Sequence, residues 1–143
     1  MSVKLKNHYI WDEFDKIIAE IDINDIVKQH LESCHYKVSG YWDGKNEFYE
    51  EIAFVSSLRS ELSSSSLGTT LLEGRGSHWI KLRLLLKADT SASEGELNSD
   101  DDEIGELILI LDDNLKVVDE NWLIDVESPF VVAKRQKDLP HYA

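Results

Sequence analysis

Apolar residues recur every three or four positions near the start of the chain, and acidic residues fill the positions between them. The series comprises Trp11, Phe14, Ile17, Ile18 and Ile21. This spacing places the apolar side chains on one face and predicts an amphipathic helix over Tyr9–Glu20. Asn24 is a good N-cap for a second helix, since apolar residues follow it at helical spacing. Two helices and one bent helix fit this pattern equally well.

Alternation of side-chain character replaces the helical spacing at residues 36–42 and predicts a strand that ends in a turn over residues 43–46. Residues 47–62 fit either a helix capped at Asn46 or a strand. The charged residues opposite the apolar positions favour the helix. Four consecutive serines at residues 63–66, followed by Leu67 and Gly68, predict a flexible connector.

The second half of the chain is dominated by strand patterns. Glycines in residues 73–76 predict a hairpin turn, after which an aliphatic face alternates with a mostly basic face up to Ala88. Residues 89–104 contain many acids and few apolar residues, which predicts a mobile acidic loop. Further strands are predicted in residues 106–111, 115–118, 122–126 and 130–133.

The order of these elements, helices first and strands afterwards, indicates an α+β fold rather than alternating βαβ units. We expect N-terminal helices packed on one antiparallel sheet of about five or six strands, because sequential strands joined by short turns usually neighbour each other. The length of 143 residues fits a single domain over residues 1–143.

Composition narrows the class of protein. No stretch approaches the roughly 20 apolar residues of a membrane span, and no apolar run follows the N-terminal charges as in a secretory signal. Cys34 is the only cysteine, so no internal disulfide can form. These features predict a soluble, cytoplasmic protein without a membrane partner.

The acidic residues are concentrated in one part of the chain. Half of the 28 acids lie between Asp89 and Glu127, a stretch whose single base is Lys116. The formal net charge of the whole chain is −13. Such a distribution argues against a nucleic-acid ligand, and it indicates either a basic protein partner or a solubilising loop.

No catalytic or cofactor signature stands out. The glycines around Arg75 lack the spacing of a phosphate-binding loop, and no Gly-x-Ser-x-Gly motif is present. His30, Cys34 and His35 lack a fourth zinc ligand, and the calcium-loop pattern starting at Asp100 is broken by Ile104. We therefore predict a binding protein with no cofactor and no enzymatic activity.

Binding energy at an interface usually comes from aromatic anchors, while acidic residues steer a basic partner. Tryptophans stand beside acids at two places, Trp42 next to Asp43 and Trp122 just after Glu120. The predicted partner-binding residues are Asp112, Asp113, Asp119, Glu120, Trp122, Trp42, Asp43, Asp100, Asp101 and Asp102. We expect those after Glu106 to be ordered and to provide specificity, and those of the loop to provide attraction.

A small acidic domain with tryptophans beside acids and no catalytic signature resembles the bacterial immunity proteins of polymorphic or contact-dependent toxin systems. The resemblance covers composition and organisation and carries over no site residues. It implies tight binding to a cognate toxin domain, for example a nuclease, whose active site the acids would cover in place of phosphates. The alternatives are a phage-type nucleic-acid mimic, a small enzyme of unidentified reaction, and an adaptor whose acidic loop only solvates.

Overall fold

Two helices precede seven strands in the computed structural model, which describes residues 4–55, 57–72, 75–88 and 103–135. The elements are α1 (Tyr9–Glu20), α2 (Ile23–Ser33), β1 (Lys37–Trp42), β2 (Phe48–Phe54), β3 (Leu58–Leu72), β4 (Arg75–Ala88), β5 (Glu103–Asp112), β6 (Val117–Ile124) and β7 (Val131–Lys134). Neither helix of these ranges is long and apolar enough to cross a membrane.

The strands form two antiparallel sheets, one with the order β1-β2-β7 and one with the order β3-β4-β5-β6. The α+β class is confirmed, whereas the prediction of one sheet of five or six strands is wrong. Consecutive strands pair from β1 to β2 and from β3 to β6, but β3 starts a new sheet instead of pairing with β2, and β7 does not pair with β6. It returns to pair with β2, where Phe54 lies opposite Val131.

The two predicted helices are separate elements. The side chain of Asp22 accepts the N–H of Asp25 at 3.1 Å, so Asp22 and not Asn24 is the N-cap of α2. At the other end of α2, the N–H of Tyr36 reaches the carbonyl of Leu31 at 2.9 Å. This Schellman-type ending places His35 in the left-handed region, a position that usually holds glycine.

The helix favoured for residues 47–62 is absent, because these residues form β2 and the start of β3. β2 lies in the centre of its sheet, where β1 pairs along one side and β7 pairs with residues 51–54 on the other. Tyr49, Ile52 and Phe54 are buried there. Aromatic and β-branched residues suit this environment better than a helix surface.

The predicted connector at residues 63–66 is also wrong, since these serines lie within β3. A register shift between Leu62 and Ser64 leaves Ser63 unpaired in the ladder, and its hydroxyl donates to the carbonyl of Arg83 at 3.1 Å. The hairpin predicted beyond them is confirmed by the pairing of Leu72 with Arg75.

Two strand boundaries also differ from the prediction. β5 begins at Glu103, so the last two residues of the predicted loop are in the sheet, and Ile104 is fully buried. Residues 89–102 lie outside the described residues. The strands predicted at 115–118 and 122–126 form a single strand, β6, because its pairing with β5 runs through both.

The core lies on one face of the four-stranded sheet. Its fully buried centre consists of Leu82, Leu84, Leu86, Ile104, Leu107, Leu109 and Leu111. Val27 and Leu31 of α2 cover one part of this face, and Ile52 and Phe54 of the smaller sheet belong to the same buried cluster. The aliphatic face predicted for β4 is therefore confirmed as the main packing surface of the fold.

Candidate functional site

The structure describes seven of the ten predicted partner-binding residues, and Asp100, Asp101 and Asp102 lie outside the described residues. The seven do not form one patch. Asp43 and Asp112 organise turns, while Asp113 and Asp119 are exposed on separate surfaces. Trp42, Glu120 and Trp122 line one cleft, and this cleft is the candidate site.

Asp43 and Asp112 occupy equivalent positions in two hairpin turns. The Oδ1 atom of Asp43 accepts the N–H groups of Lys45 at 2.8 Å and Glu47 at 2.9 Å. Asp112 accepts the N–H groups of Asn114 at 2.8 Å and Lys116 at 2.9 Å in the same way. Both carboxylates thus stabilise backbone turns.

The hydrogen bonds in the first turn also affect the acidity of Asp43. The bond from the Glu47 N–H contributes most to holding the pKa of Asp43 below its ordinary value, because it stabilises the carboxylate form. The N–H and the charge of Lys45 act in the same direction, while desolvation opposes them. Asp43 therefore remains ionised in mildly acidic solution.

Alternation along β6 separates two of the predicted acids. Asp119 pairs with Ile110 and Glu120 pairs with the buried Leu109, so the two side chains leave opposite faces of the sheet. Glu120 and Trp122 share the face that packs against α2, whereas Asp119 lies on the outer face. Of the two predicted acids that precede Trp122 on β6, only Glu120 therefore shares the face of Trp122.

The cleft lies between β1, β6 and the end of α2 and has a volume of about 620 Å³. Trp42 stands at its edge with 63% of its surface exposed, and its indole rests against Phe48 at a ring-centroid distance of 5.0 Å. The remaining lining includes Cys34, Lys37, Tyr41 and Asn121. The cleft therefore combines an exposed aromatic side chain with a small set of polar groups.

The β6 side of the cleft is held by α2. The carboxylate of Glu120 contacts Nε2 of His30. Trp122 is partly buried between Phe54, at a centroid distance of 5.8 Å, and the His30 ring, at 6.3 Å. Glu120 and Trp122 consequently have fixed positions, so a ligand that contacts them would bear little of the entropy cost of ordering them.

The contact between His30 and Glu120 could not be predicted, because no local spacing relates a helix residue to a strand residue 90 positions away. Only the packing of α2 on the sheet brings them together. Lys37, the base in the cleft lining, is partly neutralised by Glu51, with the Nζ and Oε1 atoms 3.8 Å apart. Such an exposed pair contributes little to stability.

The histidines and the cysteine near the end of α2 do not assemble a metal-binding cluster. Within residues 4–55, 57–72, 75–88 and 103–135, no group of three His, Cys, Asp or Glu side chains could hold a metal ion. The thiol of Cys34 donates to the carbonyl of Leu31 at 3.4 Å.

Comparisons with protein-family models, with curated proteins and with solved structures found no match to this chain.

Proposed function

We propose that this chain is an acidic protein-binding module that neutralises a basic partner, as an immunity protein neutralises its cognate toxin domain. The observation that carries the proposal is the cleft in which the exposed Trp42 lies with Glu120 and Trp122. Tryptophan is among the residues that contribute most binding energy at protein interfaces when a partner buries it.

Electrostatics supports a basic partner. The formal net charge of −13 attracts cationic surfaces and accelerates their association at low salt. Attraction of this kind does not select a partner by itself. Selection would come from Glu120 and Trp122, which His30 and Phe54 hold in place. A partner that offers a cation to Glu120 and an apolar surface to Trp42 fits the cleft.

Neutralisation would follow from occlusion. A toxin domain that acts on nucleic acid presents a basic surface for phosphates, and an acidic protein bound there excludes the substrate. Affinity would depend on the desolvated aromatic contact, and the association rate would depend on the acids. The two contributions can be separated by salt, because salt weakens the electrostatic attraction of the acids far more than the aromatic contact.

The test identifies candidate toxin genes that flank this gene in its native genome and co-expresses each of them with this chain, followed by co-purification and growth assays. We expect the wild-type chain to protect the cells and to purify in a one-to-one complex. Trp42→Ala should weaken binding by about 2 kcal/mol or more. Leu123→Ala is the matched control, because Leu123 is 60% exposed on the other face of β6 and should leave protection unchanged.

Two results would contradict the proposal. One is killing by the adjacent toxin regardless of this chain, with no complex on co-purification. The other is salt-sensitive inhibition of several unrelated DNA-binding proteins, to which Trp42→Ala makes no difference. The second result would identify a nucleic-acid mimic with no cognate protein partner.

A further inference from the structure

Helix α1 leaves much of its apolar face uncovered. None of its residues is buried, although apolar residues recur along one side of the helix. Ile18 packs against the core, as does Ile21 just beyond the helix, whereas Ile17 is 45% exposed and Ile10 and Trp11 are exposed to a similar degree. An amphipathic helix in a folded domain usually buries its apolar stripe, so this surface calls for a partner.

The uncovered surface continues from α1 onto the four-stranded sheet. A groove of about 680 Å³ runs beside the helix, and its apolar lining comprises Ile17, Ile21, Leu67, Trp79, Ile80 and Leu115. Leu67 is 50% exposed. Leu71 lies further along β3 on the same face of the sheet and is 73% exposed. Exposed leucines therefore lie both in the groove and further along the same face of the β3–β4 hairpin.

One residue of this lining adopts an unfavourable backbone conformation. Leu115 has a φ angle of +63°, and the equivalent residue of the other hairpin turn is Asn46 with a φ angle of +62°. Asparagine tolerates the left-handed region, whereas leucine rarely adopts it. The chain thus places a leucine at a position where its own second turn has asparagine, and the side chain of that leucine lines the groove.

The rim of the groove is acidic. Glu20 and Asp113 line it together with His78, and no lysine or arginine of the described ranges does so. The polar side of α1 adds Asp12, Glu13 and Asp15 against a single base, Lys16. A second copy of the chain would bring two acidic rims together, at a net charge of −13 each, so self-association is opposed by charge. A basic occupant is favoured by the same charges.

We infer that this groove docks an amphipathic helix of a partner protein, with the apolar row of that helix against Ile17, Leu67 and Leu115 and its lysines or arginines against Glu20 and Asp113. Helices commonly bind to apolar grooves through side chains spaced by three and four residues. The groove shares no lining residue with the Trp42 cleft, so this inference holds independently of the proposed function.

The test uses the full chain and two synthetic amphipathic helices, one of leucine and lysine and one of leucine and glutamate, with binding followed by fluorescence anisotropy of the labelled peptides. We expect the leucine–lysine peptide to bind and the leucine–glutamate peptide not to bind. Leu67→Asp should weaken binding by about tenfold or more, since it places a carboxylate against the apolar row. Leu123→Asp is the control at a comparably exposed leucine outside the groove and should bind as the wild type does.

This pair of variants separates docking from general attraction to an acidic protein. Both substitutions make the chain more negative, so non-specific attraction would strengthen the binding of the cationic peptide to each. Leu115→Asn provides a second groove variant that keeps a residue suited to the left-handed turn, and we expect it to weaken binding as well. The charge reversal of Glu20→Lys with Asp113→Lys should lower the affinity for the leucine–lysine peptide.

Several outcomes would overturn the inference. They are equal binding of both peptides, no binding of either, and unchanged affinity in the folded Leu67→Asp and Leu115→Asn variants. A wild-type chain that dimerises in solution, and that Leu67→Asp converts to a monomer, would assign the groove to a second copy of the chain instead. Circular dichroism and thermal unfolding establish that each variant retains its fold.

Discussion

The hydroxyl of Tyr41 in the smaller sheet bridges both backbone groups of Ile124 in the larger sheet. It accepts the Ile124 N–H at 2.8 Å and donates to the Ile124 carbonyl at 3.4 Å. β6 is an edge strand among the described residues, so no described strand of its own sheet pairs with these groups. A buried side chain thus takes the place of a missing strand and links the two sheets.

Tyr41→Phe should lower the free energy of unfolding by about 1–3 kcal/mol, because it leaves a buried N–H without an acceptor. Urea unfolding measures the change. Tyr9→Phe is the control, since Tyr9 is exposed on α1 and its loss should change stability by less than about 0.5 kcal/mol. Equal unfolding midpoints for the Tyr41 variant and the wild type would contradict the bridging role.

Gly105→Ala should destabilise the larger sheet by about 3 kcal/mol. A Cβ atom at Gly105 would lie 2.1 Å from the carbonyl oxygen of Leu123 and 3.0 Å from the Cα of Ile124, so the backbone of β5 or β6 would have to move. Gly44→Ala is the matched control, because no atom lies within 4 Å of the added Cβ there. Thermal unfolding of the two variants should therefore give clearly different midpoints, and similar midpoints would contradict the close approach.

Asp43→Asn should reduce the dependence of stability on acidic pH. The folded-state pKa of Asp43 lies below the ordinary value of 3.8, mainly because the Glu47 N–H bonds to its carboxylate. A lowered pKa contributes stability above the unfolded pKa, and this contribution disappears as the pH falls through the folded pKa. The free energy of unfolding of the wild type should therefore exceed that of the variant most at neutral pH. This difference in stability should shrink from about pH 5 towards about pH 2. Urea unfolding across this range checks the trend, and a constant difference would refute it.

Asn46→Leu should lower the stability of the β1–β2 hairpin by about 1 kcal/mol, because Asn46 has a φ angle of +62°. Asn46→Gly is the control and should change stability by only a few tenths of a kcal/mol, since glycine adopts this conformation freely. Chemical denaturation of both variants gives the comparison. Equal stability of the leucine and glycine variants would show that the turn relaxes to another conformation.

The local patterns were sufficient to predict α1, β1, the β3–β4 hairpin and the aliphatic core face of β4, because each depends on residues close in sequence. They were insufficient for residues 47–62, where Phe48, Ile52 and Val55 also fit helical spacing. The first part of this segment is a strand, β2, that pairs with β1 on one side and with β7, from the far end of the chain, on the other. The division into two sheets could not be predicted either, because nothing in the pattern of residues 131–134 indicates that they pair with β2.

The residues predicted to bind a partner are brought together only in part. Trp42, Glu120 and Trp122, which the sequence analysis chose because tryptophan stands beside acids, line one cleft. The acids of the two turns were indistinguishable in sequence from binding residues, although Asp43 and Asp112 bond to backbone N–H groups. The apolar groove was missed because its lining comes from α1, β3, β4 and the β5–β6 turn, and the spacing within α1 predicted a helix that is covered.

The pairing of β7 with β2 also determines the order in which the two sheets can form. During synthesis from the N-terminus, β1 and β2 emerge long before residues 131–134, so the open edge of β2 exposes unpaired N–H and C=O groups in the meantime. The β3–β4 and β5–β6 hairpins close through neighbouring residues and form quickly, whereas the β2–β7 pairing requires closure of a long loop. The smaller sheet is therefore the last part of the fold to close, and the nascent chain is most vulnerable to aggregation at β2 until that point.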